Sequence, residues 1–491
     1  MLVQCPMMVH FWPSTGLGYL CEYLRLHDYQ VKMLDQNIDF FHLCDNREIY
    51  RLDNDNTWYS EELFAPLREK YRGLMDQQAQ AIADLDAPIV GYTVSSTNVK
   101  WTLEVARRVR RLDPQRLTVF GGSEFILPES AERYRDEADV FVIGEGEETL
   151  LELIEHHHQN MPLTGIDGLI CKNERNELSA FTPRQMPEDL DRFPFPTFQE
   201  ADLSRYLFPN VCISASRGCI RRCTFCSDHA QWCTFRTRSA DHVIQEMEYH
   251  AKKRLSETFY ITSSLLNFNP VWFEEFCDKL IEKRMNWEIV TEMIIDRRMT
   301  PELLRKARQA GITHVEYGLE CGSDKILRLM KKGFTTQMAR ENIRNTHNAG
   351  IVCEVNLITG FPGEMEEDHR ATKQFLSENA AYIDVIKVIH ACAVLPNSPL
   401  RRRYKEFGIE DPDQVLTWRI GAENTYELRQ QRMNDLIDHA RKLGIALAFE
   451  HQPTGLKSYL KPKYFKQIMK QPWRSYRKIR RIMHWKKHNR D

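Results

Sequence analysis

Cys219-Ile220-Arg221-Arg222-Cys223-Thr224-Phe225-Cys226 sets three thiols within eight residues, in the spacing C-x3-C-x2-C. A loop this short can aim three thiolates at one point, which suits a metal centre better than a disulfide. A cubane iron–sulfur cluster has four irons and takes Cys thiolates as its usual ligands. Three cysteines then leave one iron without a protein ligand. Reactive metal sites keep such an open position, whereas structural sites are closed. The same loop also fits a zinc knuckle with His229 or Cys233 as fourth ligand. The surrounding chain has to decide.

Residues 211–215 read as a strand running straight into the loop. Beyond it, extended stretches at 259–262, 287–293, 314–319, 352–359 and 385–395 alternate with helical patterns at 240–254, 270–284, 301–311, 336–350 and 366–379. Six β/α units in succession predict parallel strands curved into a full or partial barrel of TIM type, with its site at their carboxyl ends. The cysteine loop occupies that position on the first strand. Residues after 400 read as a helical C-terminal cap.

Upstream, residues 2–9 read as a buried strand, followed by Pro13, Gly16 and Gly18, a helical pattern, and a second extended stretch at 31–34. This is the opening of a doubly wound, Rossmann-like α/β domain. Residues 36–86 are acidic and aromatic and read as an insertion or lid-like elaboration. The α/β pattern resumes with strands at 88–94, 117–120 and 139–143. The last two run into Gly121-Gly122-Ser123 and Gly144-Glu145-Gly146-Glu147. Ligands of open α/β sheets bind at the carboxyl ends of strands, and glycines there let backbone approach a ligand closely. Residues 161–205 read as a linker, with a small hairpin and an extended Pro194/Pro196 connector. The division is therefore an α/β domain over 1–160, the linker, a barrel over 206–400 and a helical region over 401–491.

A chain of 491 residues is too long for one core. No apolar run reaches the roughly 18 residues of a membrane span, and the start of the chain lacks a secretory pattern. Thirteen cysteines in such a chain point to thiol, metal or redox chemistry, and the cytoplasm is the expected compartment. The net charge of −2 hides an asymmetry: residues 456–491 hold thirteen Lys or Arg against one acid, leaving −14 on the rest. Tyr459, Tyr464, Trp473, Tyr476 and Trp485 interleave with those bases. A basic, aromatic, amphipathic stretch favours peripheral membrane contact and an apolar or lipid-like substrate. Docking on the acidic body is the alternative, and nucleic acid is the least favoured partner.

Several downstream pieces resemble the radical S-adenosylmethionine (SAM) enzymes. Phe225 precedes the third cysteine, where that family favours an aromatic residue. Val315-Glu316-Tyr317-Gly318-Leu319-Glu320-Cys321-Gly322-Ser323, with Leu327, Met330, Lys331 and Gly333, looks like the fourth-strand signature. Ile358-Thr359-Gly360-Phe361-Pro362-Gly363-Glu364 looks like the fifth. The resemblance implies that Cys219, Cys223 and Cys226 hold a [4Fe–4S] cluster, and that Phe225, Ser263, Glu320, Ile358 and Gly360 contact SAM. It also implies an electron donor such as flavodoxin or ferredoxin. Ser263-Ser264 stand where many relatives carry paired aspartates, and Met293 near where an Arg is often found.

The first half resembles the cobalamin-binding domain that precedes many of these enzymes, through Trp12–Leu20, Val119–Glu129 and Asp139–Leu153. Gly121 and Gly122 would then lie beside the nucleotide tail of cobalamin. The D-x-H-x-x-G string with a cobalt-ligating His is absent from residues 1–160, so no cobalt ligand is named, and a cofactor-free version of the domain stays open. The implied function is reductive SAM cleavage with cobalamin-dependent methyl transfer to an unactivated carbon. The alternatives are a radical SAM cyclase, rearrangement or oxidation enzyme, and a non-catalytic metal-binding protein. No catalytic acid or base is assigned: His229, Tyr317, Cys321, Asn356 and His390 read as structural.

Overall fold

The protein is described by a computed structural model over residues 1–7, 10–50, 56–173, 175–206, 211–232, 234–253, 256–262 and 265–448. Residues Met1–Leu447 form one compact unit and Ala448–Asp491 a second, which lies almost wholly outside the described residues. The basic tail read from the sequence falls in that second unit.

The N-terminal sheet is built from β1 (Leu2–Gln4), β2 (Met33–Asp35), β3 (Ile89–Thr93), β4 (Leu117–Gly121), β5 (Val140–Val142) and β6 (Leu169–Cys171), in the order β2-β1-β3-β4-β5-β6. The first five are parallel and β6 pairs antiparallel to β5. The strand order reverses between β1 and β3, and a crevice opens at such a switch point. β1 ends at Gln4, shorter than the apolar run predicts. Helix Thr15–Leu26 follows it, its start fixed by Ser14, whose Oγ accepts from the Leu17 N–H at 3.4 Å. Helix Val99–Leu112 buries Trp101, Val105, Ala106 and Val109 at helical spacing.

Two parts of the sequence reading change here. Residues 36–86, read as a lid-like insertion, form helices Gln36–Leu43, Glu61–Lys70 and Arg72–Ala83. Their Phe40, Phe64 and Met75 are buried in one core with Val3, Val90, Phe120 and Phe141 of the strands. Acidic neighbours mask a helical stripe of apolar residues that covers one face of the sheet. The stretch 161–205, read as a linker, supplies the edge strand β6, because Leu169, Ile170 and Cys171 are all buried against the sheet.

The second sheet contains β7 (Val211–Ser214), the strands β10 (Thr258–Thr262), β11 (Glu288–Met293), β12 (Ile312–Glu320), β13 (Val352–Thr359), β14 (Val385–Ala391) and β15 (Ala446–Leu447). All pair in parallel, in the order β15-β14-β13-β12-β11-β10-β7. This is a curved partial barrel with one more strand than the six read from the sequence. The extra strand follows helix Tyr426–Leu443, which ends at Gly444 in the left-handed region (φ +75°). A two-stranded antiparallel ribbon, β8 (Ser216–Arg217) and β9 (Arg236–Thr237), brackets the cysteine loop. Along β13, Cys353, Val355 and Leu357 are buried while Glu354, Asn356 and Ile358 alternate with them and stay partly open. Period two sorts the strand into one face against the helices and one face towards the barrel interior.

Among the described residues, no helix is long and apolar enough to cross a membrane.

Candidate active site

β8 delivers the chain to Gly218, whose φ of +87° and closeness to Thr234 leave no room for a side chain: a Cβ would lie 2.6 Å from the Thr234 carbonyl oxygen. The loop beyond turns on a Cys226 N–H to Cys223 carbonyl bond of 3.3 Å. Thr224 pins it to the barrel, with its N–H on the Met330 carbonyl at 3.0 Å and its Oγ1 on the Leu329 carbonyl at 3.1 Å. Cys219, Cys223 and Cys226 are all partly exposed, unlike the nine other described cysteines, which are buried.

Two of these sulfurs already accept backbone N–H groups: Cys219 Sγ from Arg221 and Cys226 Sγ from Asp228, each at 3.4 Å. Such donors favour a sulfur that carries negative charge. Without a metal, burial pushes the thiol of Cys219 up to about 11 and of Cys226 to about 12, and raises Cys223 also. Loading a metal centre therefore releases protons from all three. Among the described residues, no three His, Cys, Asp or Glu are gathered for a single metal ion. The fit to a cluster rests on the three cysteines being partly exposed together and on the N–H donors.

Above the loop, β12 ends in a bulge, with Glu320 at φ +65°. Lys332 Nζ donates to Glu320 Oε1 at 2.9 Å, and a Cβ on Gly318 would lie 2.6 Å from that oxygen. Glycine at 318 is what makes room for the pair. The same ammonium stands 5.6 Å from the centre of the Phe225 ring. Burial works against its charge, but Glu320 and the neighbouring thiols outweigh burial and raise its pKa. The structure thus gathers Phe225, Glu320 and the cysteine loop round Lys332, a residue the sequence reading did not single out. The adjacent Lys331 and Gly333 of the fourth-strand signature were the available signal.

β13 leads to the next expected contacts. Ile358 pairs in register with His390. Gly360, at φ +72°, donates its N–H to Glu364 Oε2 and accepts from Asn424 Nδ2 at 2.9 Å. Fully buried Arg429 lies against Gly360, donates to the Trp418 carbonyl at 2.7 Å and stacks 3.8 Å from the Trp418 ring. The C-terminal region therefore braces this turn from behind.

Deeper in the barrel, Glu292, Glu316 and Glu354 occupy one register row across β11, β12 and β13. Lys387 donates to Glu316, whose Oε1 accepts from Asn356 Nδ2 at 2.6 Å. Tyr260 donates to Glu292 Oε1 at 2.8 Å, and Trp12 from the N-terminal half stacks on the Tyr260 ring at 4.8 Å. Three carboxyls side by side repel one another. Burial first, and then Glu316, push Glu292 up to about 7. Burial and Glu316 also raise Glu354 to about 7, against the pull of Lys387. Burial thus holds Glu292 and Glu354 well above the usual carboxylate range. The three glutamates lie on three strands far apart in the sequence, so only the register assembles the row.

A cavity of about 290 Å³ lies where the two sheets meet. Its N-terminal wall includes Gly121, Gly122, Gly144 and Gly146, the two glycine turns read from the sequence. Its barrel wall includes Ser214, Arg217, Trp232 and Thr262. Gly144, at φ +88°, has no atom within 4 Å of the place a Cβ would take, so the turn leaves open space in front of the sheet. Apolar Leu2, Val119 and Val142 line the same cavity. Bare backbone over an apolar floor fits the nucleotide end of a large cofactor such as cobalamin. No cobalt ligand is identified.

Charged clamps hold the walls together. Arg217 donates to Glu145 Oε2 at 2.5 Å and to Glu147, and Arg236 also pairs with Glu145. Burial opposes the Arg217 charge, but the two glutamates dominate and raise its pKa. On the other side Tyr19 donates to Glu246 Oε2 at 3.0 Å beside Arg238.

Ser263, Ser264 and Cys233 lie outside the described residues, as does the His229 side chain. Tyr317 is fully buried, hydrogen-bonded to Thr346 at 2.9 Å. Buried Cys321 has its thiol raised beyond the normal range by burial.

Residues 213–376 match the Radical SAM superfamily, and residues 65–154 match the B12 binding domain. The chain is 29% identical over 311 residues to the anaerobic magnesium-protoporphyrin IX monomethyl ester cyclase of Rubrivivax gelatinosus, covering 60% of this chain and 54% of that protein. It is 22% identical over 445 residues to the cytidylyl-2-hydroxyethylphosphonate methyltransferase of Streptomyces wedmorensis, covering 82% of this chain and 79% of that one. The chain spans about half the length of the curated cyclases it matches. Among solved structures it is similar to the radical S-adenosylmethionine methyltransferase TsrM from Kitasatospora setae with cobalamin and [4Fe–4S] cluster bound. That similarity has a TM-score of 0.63 at 19% identity, over 81% of this chain and 76% of that one, and it establishes a shared fold.

Proposed function

For a chain built of a B12-binding domain followed by a radical SAM domain, we propose reductive cleavage of SAM coupled to cobalamin-dependent methyl transfer onto an unactivated carbon. The observation that carries the reading is the cavity joining the glycine turns of the N-terminal sheet to Arg217 and Trp232 beside the cysteine loop. It supports a corrinoid seated next to the ribbon that carries the cysteine loop.

When bound, a [4Fe–4S] cluster supplies the electron that splits the SAM sulfonium to methionine and a 5′-deoxyadenosyl radical, and cobalamin supplies a transferable methyl group. Cys219, Cys223 and Cys226 would hold the cluster. Glu320, positioned by Lys332, would accept from the hydroxyl or amino groups of SAM, and Phe225 would face its base. Gly360 and Ile358 would present backbone to the adenine. Gly121, Gly122 and Gly144 would admit the cofactor tail.

A second reading, a cyclase that transfers no methyl group, draws support from the similarity to the Rubrivivax gelatinosus protein. Anaerobic purification and reconstitution separate the two. Methyl transfer requires stoichiometric cobalamin and both products of two SAM molecules: 5′-deoxyadenosine, which takes the substrate hydrogen, and S-adenosylhomocysteine, which is left when the methyl group is given up. Cluster-dependent 5′-deoxyadenosine without bound cobalamin favours the second reading. The basic tail, residues 456–491, is assigned to a membrane surface, which suits an apolar substrate. Flotation with anionic liposomes equal for the full chain and a chain ending at Gly455 removes that assignment.

A further inference from the structure

Helix Tyr426–Leu443 lies beyond the stretch that matches the Radical SAM superfamily, yet one face of it is built onto the turn from Gly360 to Glu364. Arg429, Arg432 and Asp435 recur every three residues and so share that face. Arg429 is fully buried, and its stem fills the place a Cβ on Gly360 would take. Its Nη1 donates to Asn424 Oδ1 at 2.9 Å, and Asn424 Nδ2 donates to the Gly360 carbonyl at 2.9 Å. Its Nη2 donates to the Leu416 carbonyl at 2.6 Å. Arg429 forms no ion pair among the described residues, and burial lowers its pKa to about 10. A cation kept inside the protein without an acid is costly, so its rigid fork of donors, not its charge, is what the fold uses here.

The next two residues of the face act on Glu364. Arg432 Nη1 donates to the Glu364 carbonyl at 3.1 Å. Asp435 accepts from Lys373 at 2.8 Å and from His369 Nε2 at 2.7 Å. An ionised carboxylate only accepts, so that ring nitrogen carries a proton. Partial burial opposes the Asp435 charge, but Lys373 and His369 outweigh it and hold the carboxyl below its usual range. His369 is 3% exposed, and its Nδ1 has no hydrogen-bond partner and stands 3.9 Å from Glu364 Oε1. The ring is therefore a wall against the Glu364 carboxyl, whose Oε2 accepts the Gly360 N–H.

Both backbone groups of Gly360 are thus held, each by a side chain that the C-terminal helix fixes in turn. Glycine alone would not keep a φ of +72°, since it loses more freedom on ordering than any other residue. A turn ordered in advance spares a ligand that cost. We infer that Arg429, Asp435 and His369 are positioning residues for SAM: the helix presets the Gly360 turn in the geometry that receives the adenine, and the affinity for SAM depends on the Asp435–His369 contact. The inference rests on the function proposed above.

The test uses the full-length reconstituted enzyme with dithionite as reductant. Asp435→Asn is the central variant, because that side chain is 45% exposed and its replacement keeps the shape. SAM binding is read twice: from the KM for 5′-deoxyadenosine formation, and from the dissociation constant in a titration followed by the electron paramagnetic resonance of the reduced cluster. Asp435→Asn is expected to weaken both about tenfold, with kcat at saturating SAM unchanged. Asp435→Glu keeps the charge and should recover most of the affinity. Arg429→Lys keeps the charge but loses the fork and should weaken SAM in the same way; should that buried variant not fold, Asp435→Asn decides. Asp438→Asn removes the same charge from the exposed side of the same helix, where Asp438 pairs with Arg441, and should leave both constants at the wild-type value. A lower unfolding temperature for Asp435→Asn with KM and dissociation constant unchanged, or an equal loss of affinity from Asp438→Asn, overturns the inference. A wild type whose cluster spectrum does not respond to SAM overturns the functional reading instead.

Discussion

Arg217 Nη1 donates to Glu145 Oε2 at 2.5 Å, joining the residue two before Cys219 to the glycine turn of the N-terminal sheet. Both side chains are about nine-tenths buried. The contact joins the glycine turn and the cysteine loop in one wall. Arg217 also lies 4.7 Å from the Phe193 ring centre, so its guanidinium is fixed from several sides.

Removing Arg217 leaves buried Glu147 without its cation, while Glu145 keeps Arg236. Arg217→Ala is expected to lower stability by about 3 kcal/mol and to reduce retained cobalamin. Thermal unfolding and the visible corrinoid absorbance of the purified protein check both. Unchanged cobalamin content would separate the clamp from the cradle.

Cys219→Ala, Cys223→Ala and Cys226→Ala should each abolish 5′-deoxyadenosine formation and most bound iron, while leaving the circular dichroism of the apo protein intact. The loop is anchored through Thr224 rather than through the sulfurs. Product at wild-type level in any of the three would sink the cluster assignment.

The two glycine turns should respond differently. At Gly122 a Cβ would meet the Val94 carbonyl oxygen at 2.7 Å at a φ of +102°, so Gly122→Ala strains backbone and packing together. Gly144→Ala carries the strain of positive φ alone, about 1–2 kcal/mol, and points a methyl into the open cavity. Gly122→Ala is expected to unfold at the lower temperature. Gly144→Ala should remain folded and bind cobalamin more weakly, measured by titration.

The carboxyl row makes stability depend on pH. Glu292 and Glu354 are raised to about 7 in the fold. Between the ordinary Glu value and about 7 the native state binds more protons than the unfolded chain. Stability is therefore greatest below that window and falls as pH rises through it. The fall is about 3 kcal/mol per group at most. Urea unfolding of the apo protein at pH 5 to 8 should show the decline, and Glu354→Gln should flatten it. A stability that rises across that range would show the row to be ionised and satisfied.

The elements round the candidate site were legible as local patterns, while the roles of Glu320, Ile358 and Gly360 came from the family resemblance. Cysteines in one short loop, glycines after apolar strands and the Gly360–Glu364 turn are local patterns, and local patterns survive without coordinates. Lys332 was not legible as a partner of Glu320, because twelve residues and a β-bulge separate them in the chain. Residues 36–86 misled for another reason: burial depends on which stripe of a helix meets the sheet, and their acidic residues dominate composition while Phe40, Phe64 and Met75 supply the packing.

The sequence by itself determined the order of β/α units, the three-thiol loop at the end of a strand and the two glycine turns, since each follows from short-range periodicity and backbone requirements. Tertiary structure alone decided that Glu292, Glu316 and Glu354 form one row, that Arg217 closes on Glu145 and Glu147, and that a cavity stands between the sheets. Those relationships depend on strand register and on the docking of distant segments, which no local pattern of residues encodes.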